Sequence, residues 1–212
     1  MNREQYVLFL RRALEHLVQH SVNGSLHYIC MDWRHQLELL LAADRLYSEL
    51  KNLCIWVKDN AGMGSLYRSQ HELVFVLKNG NRAHRNNIQL GQFGRNRTNV
   101  WHYPAASHFG RRGEEGDLLA HHPTPKPVAL IADALLDCSA RGALILDPFL
   151  GSGSTLIAAE RVGRVCRGIE LDPVFVDLAI RRWQRVTGER AVHATSGEAF
   201  DQIALIREQS RG

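Results

Sequence analysis

The sequence predicts an α/β protein built on a Rossmann-like, doubly wound sheet, with residues 1–212 forming one domain. Strand and helix patterns alternate along residues 143–196, as in a parallel strand, helix, strand unit. Two apolar runs, 52–58 and 71–78, are joined by a connection too short for a long helix, which predicts an antiparallel hairpin at one edge of the sheet. The fold should therefore combine a parallel half with an antiparallel edge.

Residues 1–78 are predicted to hold two amphipathic helices and three strands. Apolar residues recur at helical spacing in 4–20 and again in 33–48, and the apolar run 24–30 between them reads as a short buried strand. The two hairpin strands follow. Residues 79–122 are rich in Gly, Asn, Arg and His without sustained periodicity, which predicts a long functional loop.

Residues 123–212 are predicted to alternate helix and strand. Thr124 is the expected cap of the first helix, and prolines occupy its first turn. The remaining elements are a strand at 143–146, a helix at 154–162, a strand at 166–171, a helix from Asp172 to Gly188, a weaker strand at 191–196 and a terminal helix.

Positive charge is concentrated in one part of the chain. The net charge is +4, yet residues 73–113 contain no Asp or Glu. Aromatic residues are interleaved with the basic ones there, and this combination suits contact with a phosphate backbone and stacking on bases. Arg68, Arg95 and Arg97 are the leading candidates for contact with a nucleic acid, and Lys78, Arg111 and Arg112 complete the set. A solvated, flexible loop is the alternative interpretation of this segment.

Several protein classes are disfavoured by composition. No apolar stretch approaches the roughly 18 residues of a membrane span, and the N-terminus lacks the pattern of a secretory signal, which indicates a cytoplasmic protein. The cysteines are widely spaced within apolar runs, without histidines at metal-ligand spacing, so we expect reduced core thiols and no metal site.

The stretch LDPFLGSGST at residues 146–155 places a glycine loop directly after an apolar strand. A triphosphate-binding loop would require a lysine after the second glycine, and this loop has none. A dinucleotide fingerprint requires a third glycine where Leu156 stands. Asp147 at the strand end would also repel a pyrophosphate approaching the helix N-terminus. The loop therefore predicts a ligand that is not a polyanion.

Glu170 ends the next strand, where a carboxylate can accept hydrogen bonds from both hydroxyls of a ribose. Together with Asp147 and the close backbone approach that glycines allow, it favours a cationic, ribose-bearing ligand. S-adenosylmethionine meets this description because it carries a sulfonium and an amino group and has no phosphate. A bare structural turn is the alternative for the two glycines, and a nicotinamide cofactor is a more remote one.

Three segments together resemble the C-terminal half of bacterial DNA amino-methyltransferases: HHPTPKPVALIADAL (121–135), LILDPFLGSGSTLIAAE (144–160) and RGIELDPVFVDLAIRRW (167–183). WVKDNAGMGSLYRSQHELVFVLK (56–78) is similar to the hairpin that flanks their target-base pocket. These enzymes methylate the exocyclic amino group of adenine or cytosine. The order of segments matches their permuted arrangement, in which the cofactor motif lies C-terminal to the catalytic loop.

The resemblance implies roles for individual residues. Asp147, Phe149, Gly151 and Gly153 would line the methionine and sulfonium end of S-adenosylmethionine, with Ser154 and Thr155 continuing the loop, and Glu170 would bind the ribose. Thr124 and Lys126 would close the cofactor pocket from the neighbouring helix. Double-stranded DNA is the implied partner, and a companion endonuclease or a missing N-terminal segment are further expected partners.

The family's catalytic loop, Asp/Asn/Ser-Pro-Pro followed by an aromatic residue, has no counterpart here, because the sequence contains no Pro-Pro dipeptide. In the family that loop and its central strand precede the helix predicted at 4–20. We therefore expect a sheet that lacks one central strand, in the C-terminal part of a methyltransferase. A catalytically inactive remnant that binds only cofactor or DNA, and a methyltransferase acting on RNA, remain the alternatives.

Overall fold

The computed structural model describes residues 1–64, 66–92, 96–105 and 125–209. The helices are α1 (Arg3–Gln19), α2 (Gln36–Ala43), α3 (Val128–Cys138), α4 (Ser154–Arg161), α5 (Pro173–Thr187) and α6 (Phe200–Gln209), and a short 3-10 helix covers Trp33–His35. The strands are β1 (Leu26–Met31), β2 (Glu49–Val57), β3 (His71–Lys78), β4 (Val100–His102), β5 (Leu144–Asp147) and β6 (Val165–Gly168).

The strands form two separate sheets. The first has four strands in the order β1-β3-β2-β4, with β3 antiparallel to both of its neighbours and β2 parallel to β4. The pairing of β2 with β3 confirms the predicted antiparallel hairpin. The second sheet contains β5 and β6, which run parallel from the pair Leu144 and Val165 to the pair Asp147 and Gly168. Helix α4 connects these two strands, which confirms the predicted strand, helix, strand unit.

Strand β3 is buried on both faces, which explains why its sequence is continuously apolar instead of alternating. Phe75 packs on one face with Leu14 of α1 and Leu39 of α2. Val74 packs on the other face with Trp56 of β2 and with α3. Helix α3 also contributes Val128 and Leu135 to a cluster with α4, so it packs against both sheets.

Two sequence expectations about this topology are corrected. Residues 191–196 do not form a strand; they contribute a single bridge between Val192 and Ala199. Strand β4 was not predicted, because its three residues lie inside the segment 79–122 and are too few to show an alternating pattern. It is nevertheless fixed by the buried Trp101, whose indole N–H donates to the carbonyl of Thr98.

Helix boundaries also differ from the sequence expectations in places. The second helix, expected at 33–48, begins as a 3-10 turn and ends at Ala43, and the following strand starts earlier, at Glu49. Helix α3 begins at Val128 with Pro127 at its cap position, while the expected cap Thr124 lies outside the described residues. The start of α5 is as predicted: the Asp172 side chain accepts from the Val174 N–H, and Pro173 is the first helical residue.

The four cysteines are free thiols; Cys54 is buried, and Cys30, Cys138 and Cys166 are partly buried. Among the helices that the structure describes, none has the length and apolar character needed to cross a bilayer.

His27 on β1 should make folding sensitive to acid. The ring is buried between the Tyr47 hydroxyl, at 2.9 Å, and Ser25, and burial lowers the pKa of His27 to about 4. The unfolded chain, with a His pKa of about 6.5, then binds the proton more tightly, so the stabilisation present above pH 6.5 is lost as pH falls toward 4. Between pH 7.5 and pH 4.5, we expect the unmodified protein to lose roughly 2–3 kcal/mol more stability than the His27→Gln variant. Urea unfolding of both proteins at the two pH values measures this, and equal losses would contradict it.

Candidate cofactor site

The glycine loop at 148–153 lies over the carboxyl ends of the two parallel strands. The Ile169 N–H donates to the carbonyl of Asp147 at 2.9 Å, and the Leu150 N–H donates to the carbonyl of Ile169 at 3.0 Å. The Gly151 N–H donates to Glu170 Oε2 at 2.7 Å. These bonds join the loop after β5 to the residues after β6, so the ends of both strands build one site.

Gly153 precedes α4 at a point where no side chain fits. Its φ of +83° lies in the left-handed region, and a Cβ there would be 2.8 Å from the Cβ of Ala179 on α5. Gly151 also has a positive φ, +54°. The buried Arg182 of α5 fixes the loop further by donating to the carbonyl and hydroxyl of Ser152, at 2.6 and 2.9 Å. The sequence analysis did not identify Arg182, because the helical periodicity of apolar residues does not distinguish a buried arginine from an exposed one.

The two carboxylates predicted at the strand ends are both held by backbone amides. Asp147 accepts from the Phe149 N–H at 3.0 Å. Glu170 accepts from Gly151 through Oε2 and from Leu171 and Asp172 through Oε1, at 2.8 and 2.9 Å. Glu170 therefore shapes the loop and the start of α5, a structural role that the sequence did not predict.

The other predicted loop residues differ in exposure. Phe149 is 59% exposed, and its ring centroid is 6.2 Å from that of Phe9 on α1. Ser154 is buried, and within the described part of the chain its hydroxyl oxygen has no hydrogen-bond partner. Thr155 is half-buried beside it. Because an unpaired buried hydroxyl is costly, the Ser154 oxygen is suited to a ligand group.

Lys126 lies at the start of α3 and connects the loop side of the site to the hairpin. Its Nζ is 2.9 Å from Glu72 Oε1, and Lys58 Nζ is 3.4 Å from Glu72 Oε2. Burial lowers the pKa of Lys126, but the Glu72 carboxylate more than offsets this, so the pKa lies above its usual value and the amine stays charged. The sequence predicted Lys126 at the cofactor pocket but not its pairing with Glu72, which is distant in the chain.

A cavity of about 1170 Å³ lies between α1, β1, α3 and β5 and reaches the glycine loop. Of the predicted cofactor-binding residues it is lined by Lys126, Asp147, Phe149, Gly151, Ser154 and Thr155. Gly153 and Glu170 do not line this cavity. Thr124 is outside the described residues. The structure thus brings most of the predicted set to one opening.

A second cavity, of about 360 Å³, lies where β1 and β2 end and β3 begins. Asp32 and Trp33 line it, together with Lys58, Ser69 and Glu72. The Trp33 indole N–H donates to the Ser69 hydroxyl at 2.8 Å, so this side chain is held at the cavity wall. The sequence analysis did not single out Asp32 or Trp33, although both follow directly after a strand, where α/β proteins place functional residues.

The residues predicted to contact DNA have different surroundings. Arg68 is exposed in the loop between β2 and β3, beside the exposed Leu66 and Tyr67. Lys78 is half-buried at the end of β3. Arg95, Arg111 and Arg112 lie outside the described residues.

Arg97 has internal partners. Its Nε is 2.7 Å from the carboxylate of the buried Asp137, its Nη1 is 3.6 Å from that of Asp133, and its guanidinium lies 5.2 Å from the centroid of the Trp101 ring. These contacts attach the segment before β4 to α3. We therefore leave Arg97 out of the surface proposed to contact DNA.

Within the described ranges, no group of three or more His, Cys, Asp or Glu side chains is arranged to hold a metal ion.

Comparison with known proteins decides the family. The model of the DNA methylase family N6_N4_Mtase matches residues 1–181. The chain belongs to this family.

Its curated DNA methylase relatives include the type II methyltransferase M.ScaI of Streptomyces caespitosus, 33% identical over 106 residues, which are 50% of this chain and 34% of that protein. M.Cfr9I of Citrobacter freundii is 32% identical over 165 residues, 74% of this chain and 50% of that protein. The chain thus spans about half or less of these relatives.

Solved structures of similar fold support the architecture. PvuII DNA methyltransferase (cytosine-N4-specific) superposes with a TM-score of 0.73 at 15% identity, covering 99% of this chain and 78% of that one. The complex of M1.HpyAVI with S-adenosylmethionine gives 0.68 at 19% identity, covering 83% and 82%. The DNA modification methylase TTHA0409 of Thermus thermophilus, complexed with S-adenosyl-L-methionine, gives 0.65 at 22% identity, covering 88% and 80%. These matches confirm the predicted methyltransferase-type α/β fold.

Proposed function

We propose that this chain is the C-terminal, cofactor-binding part of an S-adenosylmethionine-dependent methyltransferase that modifies the exocyclic amino group of adenine or cytosine in DNA. One observation carries the proposal: Asp147 and Glu170 lie at adjoining strand ends around a glycine loop without a lysine, in a chain of the DNA methylase family. Two structures of the same fold are named as complexes with S-adenosylmethionine, which supports the choice of cofactor.

The chemistry of the site fits this cofactor. Carboxylates at both strand ends suit hydroxyl and ammonium donors, and the lysine-free loop gives no cation for a polyphosphate. The buried Ser154 hydroxyl, which lacks a protein partner among the described residues, offers a further polar contact. When bound, S-adenosylmethionine supplies an electrophilic methyl group on a sulfonium.

The residues of this chain would act by positioning and by charge. Glu170 holds the Gly151 amide, and Arg182 holds Ser152, so the loop is already shaped before a ligand arrives. Asp147 places negative charge at the cavity that reaches the loop, which favours a cationic ligand over an anionic one. Pre-formed geometry of this kind lowers the entropic cost of aligning two reactants.

The loop between β2 and β3 is the described surface that we propose for DNA contact. Arg68 is exposed there, as are the apolar side chains of Met63, Leu66 and Tyr67. Met63 lines the 360 Å³ cavity. A cation for the phosphate backbone and aromatic or apolar groups for bases are the two components of single-strand and flipped-base binding.

Arg68→Ala should weaken DNA binding and lower its salt dependence. Loss of one phosphate contact should make the slope of log affinity against log salt concentration less steep by about 0.9. Fluorescence anisotropy with a labelled duplex across a salt series measures the slope. Arg12→Ala, which removes an exposed arginine from α1, is the matched control and should leave the slope unchanged. Equal slopes for Arg68→Ala and the unmodified protein would exclude this contact.

The reaction is tested by transfer of a tritiated methyl group to DNA. The enzyme is this chain extended at its amino terminus by a strand and an Asp-Pro-Pro-Tyr loop, and the label is assigned to a base by digestion and chromatography. Label on the amino group of adenine or cytosine is the expected result. Cofactor binding without transfer would instead favour a binding-only protein, and preferential labelling of RNA would favour an RNA methyltransferase.

A further inference from the structure

Glu72 connects the walls of the two cavities. Glu72 and Lys58 line the small cavity of about 360 Å³, and Lys126 lines the large cavity of about 1170 Å³ that reaches the glycine loop. Lys126 Nζ is 2.9 Å from Glu72 Oε1, and Lys58 Nζ is 3.4 Å from Glu72 Oε2. One carboxylate therefore holds an ammonium group from each cavity, with a different oxygen for each.

The three charged side chains are largely shielded from water. The side chain of Glu72 is 13% exposed, and those of Lys58 and Lys126 are 23% and 26% exposed. The two ammonium groups lie 4.6 and 5.9 Å from the ring centroid of the buried Trp56, whose indole N–H donates to the carbonyl of Tyr103 at 2.9 Å. Because charges in such a place interact more strongly than charges on the surface, a change at one ammonium group affects the other.

Asp147 extends this series of charges to the glycine loop. It ends β5 and lines the large cavity together with Lys126. Burial lowers the pKa of Lys126, but Glu72, the Cys30 thiol and Asp147 together raise this pKa above its usual value, so all three lie within electrostatic reach of the amine. Two ammonium groups and two carboxylates therefore alternate between the small cavity and the glycine loop.

Lys126 is able to hold a ligand while it holds Glu72. An ammonium group has three N–H donors, so it can donate to two carboxylates at once. A second carboxylate nevertheless weakens the attraction to the first, because both share one positive charge. Glu72 would then be held mainly by Lys58. S-adenosylmethionine, the proposed cofactor, carries a carboxylate on its amino-acid part.

We propose that Glu72 is a positioning residue that couples the two cavities. When Lys126 binds a ligand carboxylate in the large cavity, Glu72 pairs more closely with Lys58, and its Oε1 becomes available to accept from an amino group in the small cavity. This inference rests on the proposed function, which supplies the cofactor for one cavity and an amino-bearing base for the other. Since coupling between two sites is reciprocal, a base held by Glu72 strengthens cofactor binding by the same factor.

The reactivity of Lys58 tests the coupling without any ligand. The full chain is acylated briefly with N-hydroxysuccinimidyl acetate at about pH 8, and the labelling of each lysine is measured by peptide mass spectrometry. Lys126→Met leaves Glu72 to Lys58 alone, so acylation of Lys58 should slow by about threefold or more. Glu72→Gln removes the carboxylate, so acylation of Lys58 should accelerate by about threefold or more. Lys51, which pairs with Glu49 at 2.9 Å, is the internal reference and should react equally in all proteins.

The opposite signs distinguish coupling from a merely structural role of Glu72. If its carboxylate only supported packing, both substitutions would loosen the small cavity and both would accelerate acylation of Lys58. The other charged or titratable side chains that line this cavity are the same in both variants; they are Asp32, Arg34 and His71. Failure of Lys126→Met to slow acylation of Lys58 would therefore overturn the proposal.

The same measurement with ligands tests the effect of a carboxylate in the large cavity. Saturating S-adenosylmethionine should slow acylation of Lys58 by about twofold or more, whereas methylthioadenosine, which lacks the amino-acid part, should not. Glu72→Gln should lose this response, and the matched control Glu49→Gln should keep it.

The outcomes separate this inference from the proposed function. Calorimetric saturation with S-adenosylmethionine without a change at Lys58, or a response that persists in Glu72→Gln, would overturn the coupling. Absence of S-adenosylmethionine binding by calorimetry would instead reject the proposed cofactor, and the ligand-free result with Lys126→Met would still decide whether Glu72 couples the two cavities.

Discussion

A Gly153→Ala variant is expected to bind S-adenosylmethionine at least about tenfold more weakly and to lose about 2–4 kcal/mol of stability. The residue has φ of +83°, and the added Cβ would lie 2.8 Å from Ala179 Cβ on α5. Because Ala179 is buried in the middle of α5, relief requires the loop to move away from this helix. Calorimetric titration and urea unfolding measure the two effects.

Gly142→Ala is the control for Gly153→Ala. Gly142 has a similar φ of +74°, but nothing lies within 4 Å of the position that its Cβ would take. The stability of this variant should fall by only about 1–2 kcal/mol, the cost of a left-handed backbone conformation for alanine. Its cofactor affinity should be unchanged. Equal cofactor affinity of the Gly153 and Gly142 variants would show that close packing of the loop on α5 is not needed for binding.

Glu170→Gln is expected to reduce affinity for S-adenosylmethionine by about 10–100-fold and stability by about 1–3 kcal/mol. The carboxylate accepts from three backbone amides, those of Gly151, Leu171 and Asp172. A glutamine amide has only one acceptor oxygen, so at least one of these N–H groups would face an NH₂ group. The variant would also lose the charge proposed to bind the ribose hydroxyls.

Asp172→Asn is the control for Glu170→Gln. Asp172 also accepts from a backbone amide, that of Val174, and asparagine is an equally good helix cap. Cofactor affinity of this variant should remain close to that of the unmodified protein. If both variants bind cofactor as the unmodified protein does, the carboxylate of Glu170 has no part in ligand binding.

The sequence predicted the elements whose signals are local. The parallel strands, the capped start of α5 and the glycine loop each carry a pattern within ten or so residues, and each was found as expected. The hairpin of β2 and β3 followed from the short connection between two apolar runs. Strand β4 was missed because three residues are too few for periodicity and its register depends on pairing with β2.

The partners of charged residues could not be predicted in the same way. Arg97 stands in a basic, acid-free segment, which suggested an exposed surface, but Asp133 and Asp137 come from a helix more than thirty residues later. Lys126 and Glu72 meet only because α3 packs against the first sheet. Such long-range ion pairs depend on tertiary packing, and the sequence pattern around each residue does not predict them.

Isothermal titration calorimetry of this chain with S-adenosylmethionine, beside a parallel titration with NADH, tests the central claim most directly. The account predicts saturable binding of S-adenosylmethionine that Glu170→Gln weakens, and no binding of the dinucleotide, because Asp147 opposes a pyrophosphate at the loop. Binding of NADH in preference to S-adenosylmethionine, or of neither ligand, would contradict the assignment of the glycine loop as the cofactor site.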